Sequence, residues 1–204
     1  MCLCMEPLFI VFEGIDGSGK TTQAKKLNNF LNKNGIKSIY KHVFDSECGR
    51  MLRDIFINNN LSNTVEILIL CATRQSYLEE NLLDCKNYEV IIIDRFFLSI
   101  LSMQGKDKHD VELIRYLQNY ICKGFKEHIV YYIDTLPKEC DRRINNNRIR
   151  DRIEKKGIEF HESVSNRYKT LINQNEETYV FNGNDDVDSV HKAIANKTME
   201  LLCR

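Results

Sequence analysis

Proline occurs only at Pro7 and Pro137 in the 204 residues, and no Pro/Ser-rich linker or internal repeat is present. The chain therefore reads as one domain, residues 1–204, long enough for a substantial core. It also lacks net charge: 29 basic residues balance 29 acidic ones. That excludes whole-chain electrostatic attraction to nucleic acid or to an anionic membrane. No apolar run reaches the ~18–20 residues needed to span a bilayer. The opening "MCLCMEPLFIVF" has no basic n-region and runs straight into strand-like residues, so it does not read as a signal peptide. The 8 cysteines (2, 4, 48, 71, 85, 122, 140 and 203) contain no C-x-x-C. They suit buried or incidental thiols in a reducing cytoplasm, not a disulfide framework or a zinc site. The partners expected on these grounds are small molecules, not nucleic acid or membrane.

What is there alternates between strand and helix patterns. "LFIVFE", "IKSIYKHVF", "YEVIIID", "HIVYYID" and "TYVFNG" read as strands. Helical spacing predicts helices over 20–34, 47–58, 63–84, 109–123, from Pro137 onward, 158–174 and 186–202. This pattern predicts an α/β fold with a parallel sheet covered on both faces. Tyr77, Tyr116, Tyr120, Tyr131 and Tyr132 carry no motif and read as packing residues. His109, His128, His161 and His191 share no metal-site spacing and read as surface or capping residues.

"EGIDGSGKTTQ" (13–23) carries the clearest chemistry. Gly14-Ile15-Asp16-Gly17-Ser18-Gly19-Lys20-Thr21, followed by Thr22, matches G-x-x-x-x-G-K-[ST] between a strand and a helix. Glycines let backbone N–H groups turn inward around phosphate oxygens, and the helix N-terminus adds positive potential. Lys20 would sit on the β- and γ-phosphates, and Thr21 would offer its hydroxyl to Mg²⁺. The motif implies a nucleoside triphosphate. GTPases, ATPases and small-molecule kinases all share it.

"VIIIDRF" (90–96) places Asp94 at the carboxyl end of a strand, where ligands of open α/β sheets bind. Asp94 would hold Mg²⁺ directly or through water, and Arg95 would face an anionic acceptor. The D-x-x-G and N-K-x-D patterns of GTPases are not met. "RRINNNRIRDRIE" (142–154) crowds Arg142, Arg143, Arg148, Arg150 and Arg152 into eleven residues. A polar, arginine-dense segment at about 145–157 reads as a lid over phosphates. A hydroxyl acceptor needs a carboxylate base. A nucleoside monophosphate is already anionic and needs positive charge instead. Many arginines and no isolated base motif favour phosphate as the acceptor.

Together these residues resemble the thymidylate kinases of the bacterial type over nearly the whole chain. "FEGIDGSGKTTQ", "LILCATR" (68–74), "DRFFLSILSMQG" (94–105) and "DRIE" (151–154) carry the resemblance. It implies a P-loop nucleoside monophosphate kinase fold with a five-stranded parallel sheet, cofactors ATP and Mg²⁺, and phosphoryl transfer to dTMP. A homodimer is also implied. By position, Asp16 would lie near the deoxyribose and phosphates, Arg74 would bond the thymine ring, and Arg95 would grip the dTMP phosphate. Ser99 and Gln104 would line the base site, with Arg143, Arg148 and Arg150 at the ATP end and lid. Gly17 stands where some members carry a loop arginine, which assigns that charge to the lid. Leu70 replaces the aromatic that stacks on thymine, Met103 replaces a tyrosine, and "KHVFDSECG" replaces "REPGG", leaving Lys41 or His42 for its arginine. A deoxynucleoside kinase and a non-catalytic nucleotide-binding module are the alternative readings.

Overall fold

The computed structural model describes residues 7–81, 87–123, 129–147, 152–173 and 177–203. Its elements run β1 (Leu8–Glu13), α1 (Lys20–Lys33), β2 (Ser38–His42), α2 (Glu47–Asn58) and α3 (Asn63–Asn81). They continue with β3 (Val90–Asp94), α4 (Phe97–Gln104), α5 (Lys108–Cys122), β4 (Ile129–Asp134) and α6 (Pro137–Asn147). A 3-10 turn (Glu154–Lys156), α7 (Ile158–Ile172), β5 (Thr178–Asn182) and α8 (Val187–Leu202) complete the order.

All strand pairs are parallel, in the order β2-β3-β1-β4-β5. Successive side chains of a strand point to opposite faces, and both faces of this sheet are apolar. Phe9 and Val11 of β1 and Ile91 and Ile93 of β3 join one core with Ile67 and Leu70 of α3, Ile100 of α4, Ile114 of α5 and Val164 of α7. Ile10, Phe12, Val90, Ile92 and Tyr131 join the other, with Ala24, Leu27 and Leu31 of α1 and Val190 and Ile194 of α8. Leu27 and Leu31 are fully buried, each contributing about 1.5–3 kcal/mol. The continuous apolar runs of β1, β3 and β4 follow from this double burial.

The five predicted strands are present. α4 is an element that the periodicity does not reveal: seven of its eight residues are buried, so it has no polar face. α6 continues through Asn147, so the polar segment expected from 145 opens in helix, and residues 148–151 of it lie outside the described residues. Glu139 pairs with Arg142 and Arg143 at one-turn spacing, and Asn145 donates to Asp141 at 3.2 Å. Tyr77, Tyr131 and Tyr132 pack inside, whereas Tyr116 and Tyr120 lie exposed on α5, contrary to their reading as packing residues. His161 is buried, with Nε2 3.5 Å from the Glu154 carbonyl, contrary to its surface reading. Cys2, Cys4, Cys85 and His128 lie outside the described residues.

The topology changes direction at β1. β3 flanks it on one side and β4 on the other. The crevice above the carboxyl ends of these strands is where an open sheet of this kind receives a ligand.

Candidate active site

The loop from Gly14 to Gly19 crosses that crevice between β1 and α1. Asp107 and Asp186 cap α5 and α8 with side-chain oxygens. α1 starts on Gly19 at φ 102° with no capping side chain, so its first N–H groups remain for an anion. Gly17 sits at φ 78°, and a Cβ there would meet the Cys140 carbonyl at 2.6 Å. The loop thus lies directly against α6. Lys20 folds back, its Nζ donating to the Ile15 carbonyl at 2.7 Å and reaching Ser18 Oγ at 3.5 Å. Burial, reinforced by the charge of Arg95, lowers its ammonium pKa to about 8 despite Asp16, Asp94 and Glu13 nearby. Thr21 donates to Asp94 Oδ2 at 2.5 Å, and Tyr40 donates to the same oxygen at 3.1 Å. These oxygens suit a hard cation such as Mg²⁺, which uses few protein ligands and keeps waters or phosphates. Among the described residues no cluster of three or more His, Cys, Asp or Glu side chains forms a dedicated metal cage.

Arg95 joins the loop to the other half of the cavity. It is in the left-handed region at φ 69°, a conformation costing about 1–3 kcal/mol for a non-glycine residue. Its N–H donates to the Phe12 carbonyl at 3.0 Å, locking the turn at the end of β3. Its guanidinium meets Asp16 Oδ1 at 2.6 Å, the Gly14 carbonyl and Ser99 Oγ at 3.1 Å each, and Tyr168 OH at 3.5 Å. Burial would raise the Asp16 pKa, but Arg95, then Lys20 and His161, outweigh it and lower the value to about 2. Beneath lies Glu13, fully buried. Its carboxylate accepts from Phe96 N–H at 2.8 Å, Ser99 N–H at 3.2 Å, Ser99 Oγ at 2.5 Å and Tyr168 OH at 2.9 Å.

A cavity of about 520 Å³ opens over these groups. Asp16 to Thr22, Asp94, Arg95, Ser99, Leu70, Arg74 and Gln104 all line it. Gly14 and Ile15 do not; their carbonyls hold Arg95 and Lys20 instead. Arg143 lines the cavity while donating to Glu139 and to the Gly183 carbonyl. Arg148 and Arg150 lie outside the described residues. Arg152 is turned elsewhere, to the Phe56 carbonyl and Glu66. Of the two candidates on the second strand, His42 is on the wall and Lys41 is not. Burial lowers the His42 pKa, and its ring stacks on Phe44 at 5.3 Å. Phe44, Phe56, Ile57 and Met103 supply apolar wall beside Leu70.

Arg74 is buried and donates to the carbonyls of Leu70 and Phe96 and to Thr73 Oγ1. Its Nε has no partner, and neither has Oε1 of buried Gln104. Both residues line the cavity, and an unpaired buried donor or acceptor carries a desolvation cost that a matching partner relieves.

Sequence reasoning missed Glu13, Tyr40, Phe44, Arg53, Phe56 and Tyr168. Glu13 carries a readable signal, a lone carboxylate ending an apolar strand directly before the loop. Tyr168, on α7, bonds Glu13 across 155 positions, and nothing local marks it.

A parallel sheet ordered 2-3-1-4-5, a phosphate loop after its central strand and an arginine-lined cavity define a P-loop nucleoside monophosphate kinase fold. The family model "Thymidylate kinase" matches residues 12–194. A thymidylate kinase of Fervidobacterium nodosum is 32% identical over 190 residues, covering 92% of this chain and 96% of that protein. One from Prochlorococcus marinus is 33% identical over 210 residues (97% and 96%), and one from Legionella pneumophila 32% over 200 residues (95% and 94%). The chain belongs to the thymidylate kinase family.

The Lys20 ammonium yields a prediction. With its pKa lowered to about 8, Lys20 in the free protein is partly uncharged around pH 8, and a triphosphate beside it raises its pKa again. ATP binding just above pH 8 is therefore expected to take up a proton, read by calorimetry in buffers of different ionisation enthalpy. Absence of uptake, or uptake that persists in Lys20→Met, contradicts the placement of Lys20 on phosphate.

Proposed function

We propose that this protein is a thymidylate kinase that moves the γ-phosphoryl group of MgATP to dTMP, giving dTDP and ADP. The observation that carries this reading is the joining, around one cavity, of a phosphate loop, the largely enclosed guanidinium of Arg95 and the residues Arg74 and Gln104, each with an unpaired buried atom. Arg74 offers a donor and Gln104 an acceptor. Thymine presents the complement: the C4 carbonyl accepts and N3–H donates. Phe44 and Phe56 provide aromatic surface in a wall where Leu70 cannot stack.

The acceptor is an oxygen of the dTMP phosphate, anionic at neutral pH, so the site needs no general base. The carboxylates agree with that. Asp16, near a pKa of 2 and paired with Arg95, has negligible proton affinity at neutral pH. Glu13 is saturated by four donors. This weighs against a deoxynucleoside kinase, which would have to deprotonate a sugar hydroxyl. The remaining task is electrostatic: Lys20 on the donor phosphates, Arg95 on the acceptor phosphate, and Arg143 at the nucleotide end, with Arg148 and Arg150 proposed to join from the lid. Thr21 and Asp94 would hold Mg²⁺, which would neutralise charge on the donor phosphates. Ser99 acts below the ligand, holding Arg95 against Glu13.

Among the described residues no helix is long and apolar enough to cross a membrane. We place the enzyme in the cytoplasm, the compartment where its unpaired thiols Cys48, Cys71, Cys140 and Cys203 stay reduced. A homodimer is part of the proposal. α2 leaves Met51 65% and Ile55 46% exposed, and α3 leaves Val65 40% and Leu68 48% exposed. Those two helices pack side by side, and a second copy covering their exposed apolar residues is the proposed dimer.

An ADP-release assay over a panel of acceptors tests the reaction. dTMP is expected to be turned over best, dUMP about tenfold less well for want of the methyl contact, and thymidine not at all. No turnover with dTMP, or preferred turnover of thymidine, contradicts the reading. Sedimentation equilibrium is expected to give twice the monomer mass, and Leu68→Asp to give the monomer. A monomeric native protein at micromolar concentration removes the dimer.

A further inference from the structure

Glu66 is a buried carboxylate in the first turn of α3, and it does not line the cavity. Its two oxygens are held differently. Oε1 accepts from Arg152 Nη1 at 2.7 Å. Oε2 accepts from Gln104 Nε2 at 3.2 Å, with Lys156 Nζ at 3.9 Å. Arg152 in turn spends Nε and Nη2 on the Phe56 carbonyl at 3.2 and 2.8 Å, and its guanidinium lies 5.3 Å from the Phe56 ring. The carboxylate cannot rotate away from Gln104 without releasing Arg152. The Gln104 backbone is also fixed, since its carbonyl accepts from Asn63 Nδ2 at 2.8 Å.

An ionised carboxylate only accepts hydrogen bonds. Turning the Gln104 amide over would set its Oε1 against Glu66 Oε2, forfeiting a charge-assisted bond and opposing two buried acceptors. Nε2 therefore faces Glu66, and Oε1, which has no partner in the protein, is the free end of a residue that lines the cavity. That fixes the polarity read at this point of the wall. An acceptor there matches the N3–H of a 2,4-dioxopyrimidine. Cytosine has an acceptor at N3 and a donor at C4, opposite to what Gln104 and Arg74 offer.

We propose that Glu66 is a positioning residue for acceptor choice. It holds the Gln104 amide in the orientation that admits a 2,4-dioxopyrimidine monophosphate and refuses the 4-amino analogue. The proposal rests on the thymidylate reading of the cavity. It reaches beyond it by assigning base selectivity to a side chain outside the cavity wall.

Glu66→Gln tests it, because a glutamine at 66 can face Gln104 with either its oxygen or its NH₂ and no longer dictates the flip. The quantity read is kcat/KM for dTMP divided by kcat/KM for dCMP, with KM for ATP and the melting temperature measured alongside. Leaving a buried polar group mispaired typically shifts such ratios by about tenfold or more. Glu66→Gln is expected to lower the ratio by that factor, with KM for ATP unchanged, while acceptor-only Glu66→Asp keeps it closer to the native value. Gln104→Leu must lose the ratio on its own, and adding Glu66→Gln to it must cost no further selectivity. An unchanged ratio in Glu66→Gln, or equal losses for both substrates, overturns the proposal. So does a Gln104→Leu enzyme that keeps its selectivity, whether or not Glu66→Gln folds. A native enzyme inactive on dTMP refutes the thymidylate reading instead, so the two failures are distinct.

Discussion

Arg95 places a permanent charge at the carboxyl end of the sheet, largely enclosed by protein, and the site is arranged around keeping it there. Its φ of 69° turns it out of β3, and Phe12 of the neighbouring strand accepts its N–H. Asp16 supplies a counter-charge from the phosphate loop at 2.6 Å. Glu13, Ser99 and Tyr168 fix the groups beside it from β1, α4 and α7. An unpaired charge in this position would be costly. The pairing therefore ties the phosphate loop to the turn after β3. It also keeps Asp16 ionised and unfit as a base, which suits an acceptor that arrives without a proton to lose.

Charge is divided in the same spirit. The loop has no arginine, since Gly17 lies against the Cys140 carbonyl and has no room for a side chain. Positive groups reach the cavity from four other elements or turns: Arg53 on α2, Arg74 on α3, Arg95 after β3 and Arg143 on α6. The missing side chain at Gly17 is thus steric as well as chemical, and positive charge beyond that of Lys20 reaches the cavity from around the loop.

Much of the frame was legible because its signals are local. Strands buried on both faces read as unbroken apolar runs, and the glycines with Lys20 and Thr21 occupy eight consecutive positions. α4 was not legible because "FLSILSMQ" has nearly every residue inside, which leaves no period to detect. α6 runs on through three asparagines of weak helical propensity, with Asn145 bonded back to Asp141. Within the site, Asp94-Arg95 could be read from a strand ending in charge. The groups that orient them could not. Glu66 meets Arg152 across 86 positions and Glu13 meets Ser99 across 86, and only tertiary packing creates such pairs. Phe44 and Phe56 line the same cavity as Leu70, an aromatic surface that the local sequence around Leu70 does not show.

The central claim is that Arg95 serves the acceptor phosphate while the loop serves the triphosphate. Separate calorimetric titrations of Arg95→Lys with dTMP and with ATP test it most directly. A lysine keeps the charge but loses the fork that spans Asp16, Gly14 and Ser99. The account predicts dTMP affinity weaker by about tenfold or more, with ATP affinity within about twofold of native. Unchanged dTMP affinity, or a parallel loss of ATP affinity, would contradict it.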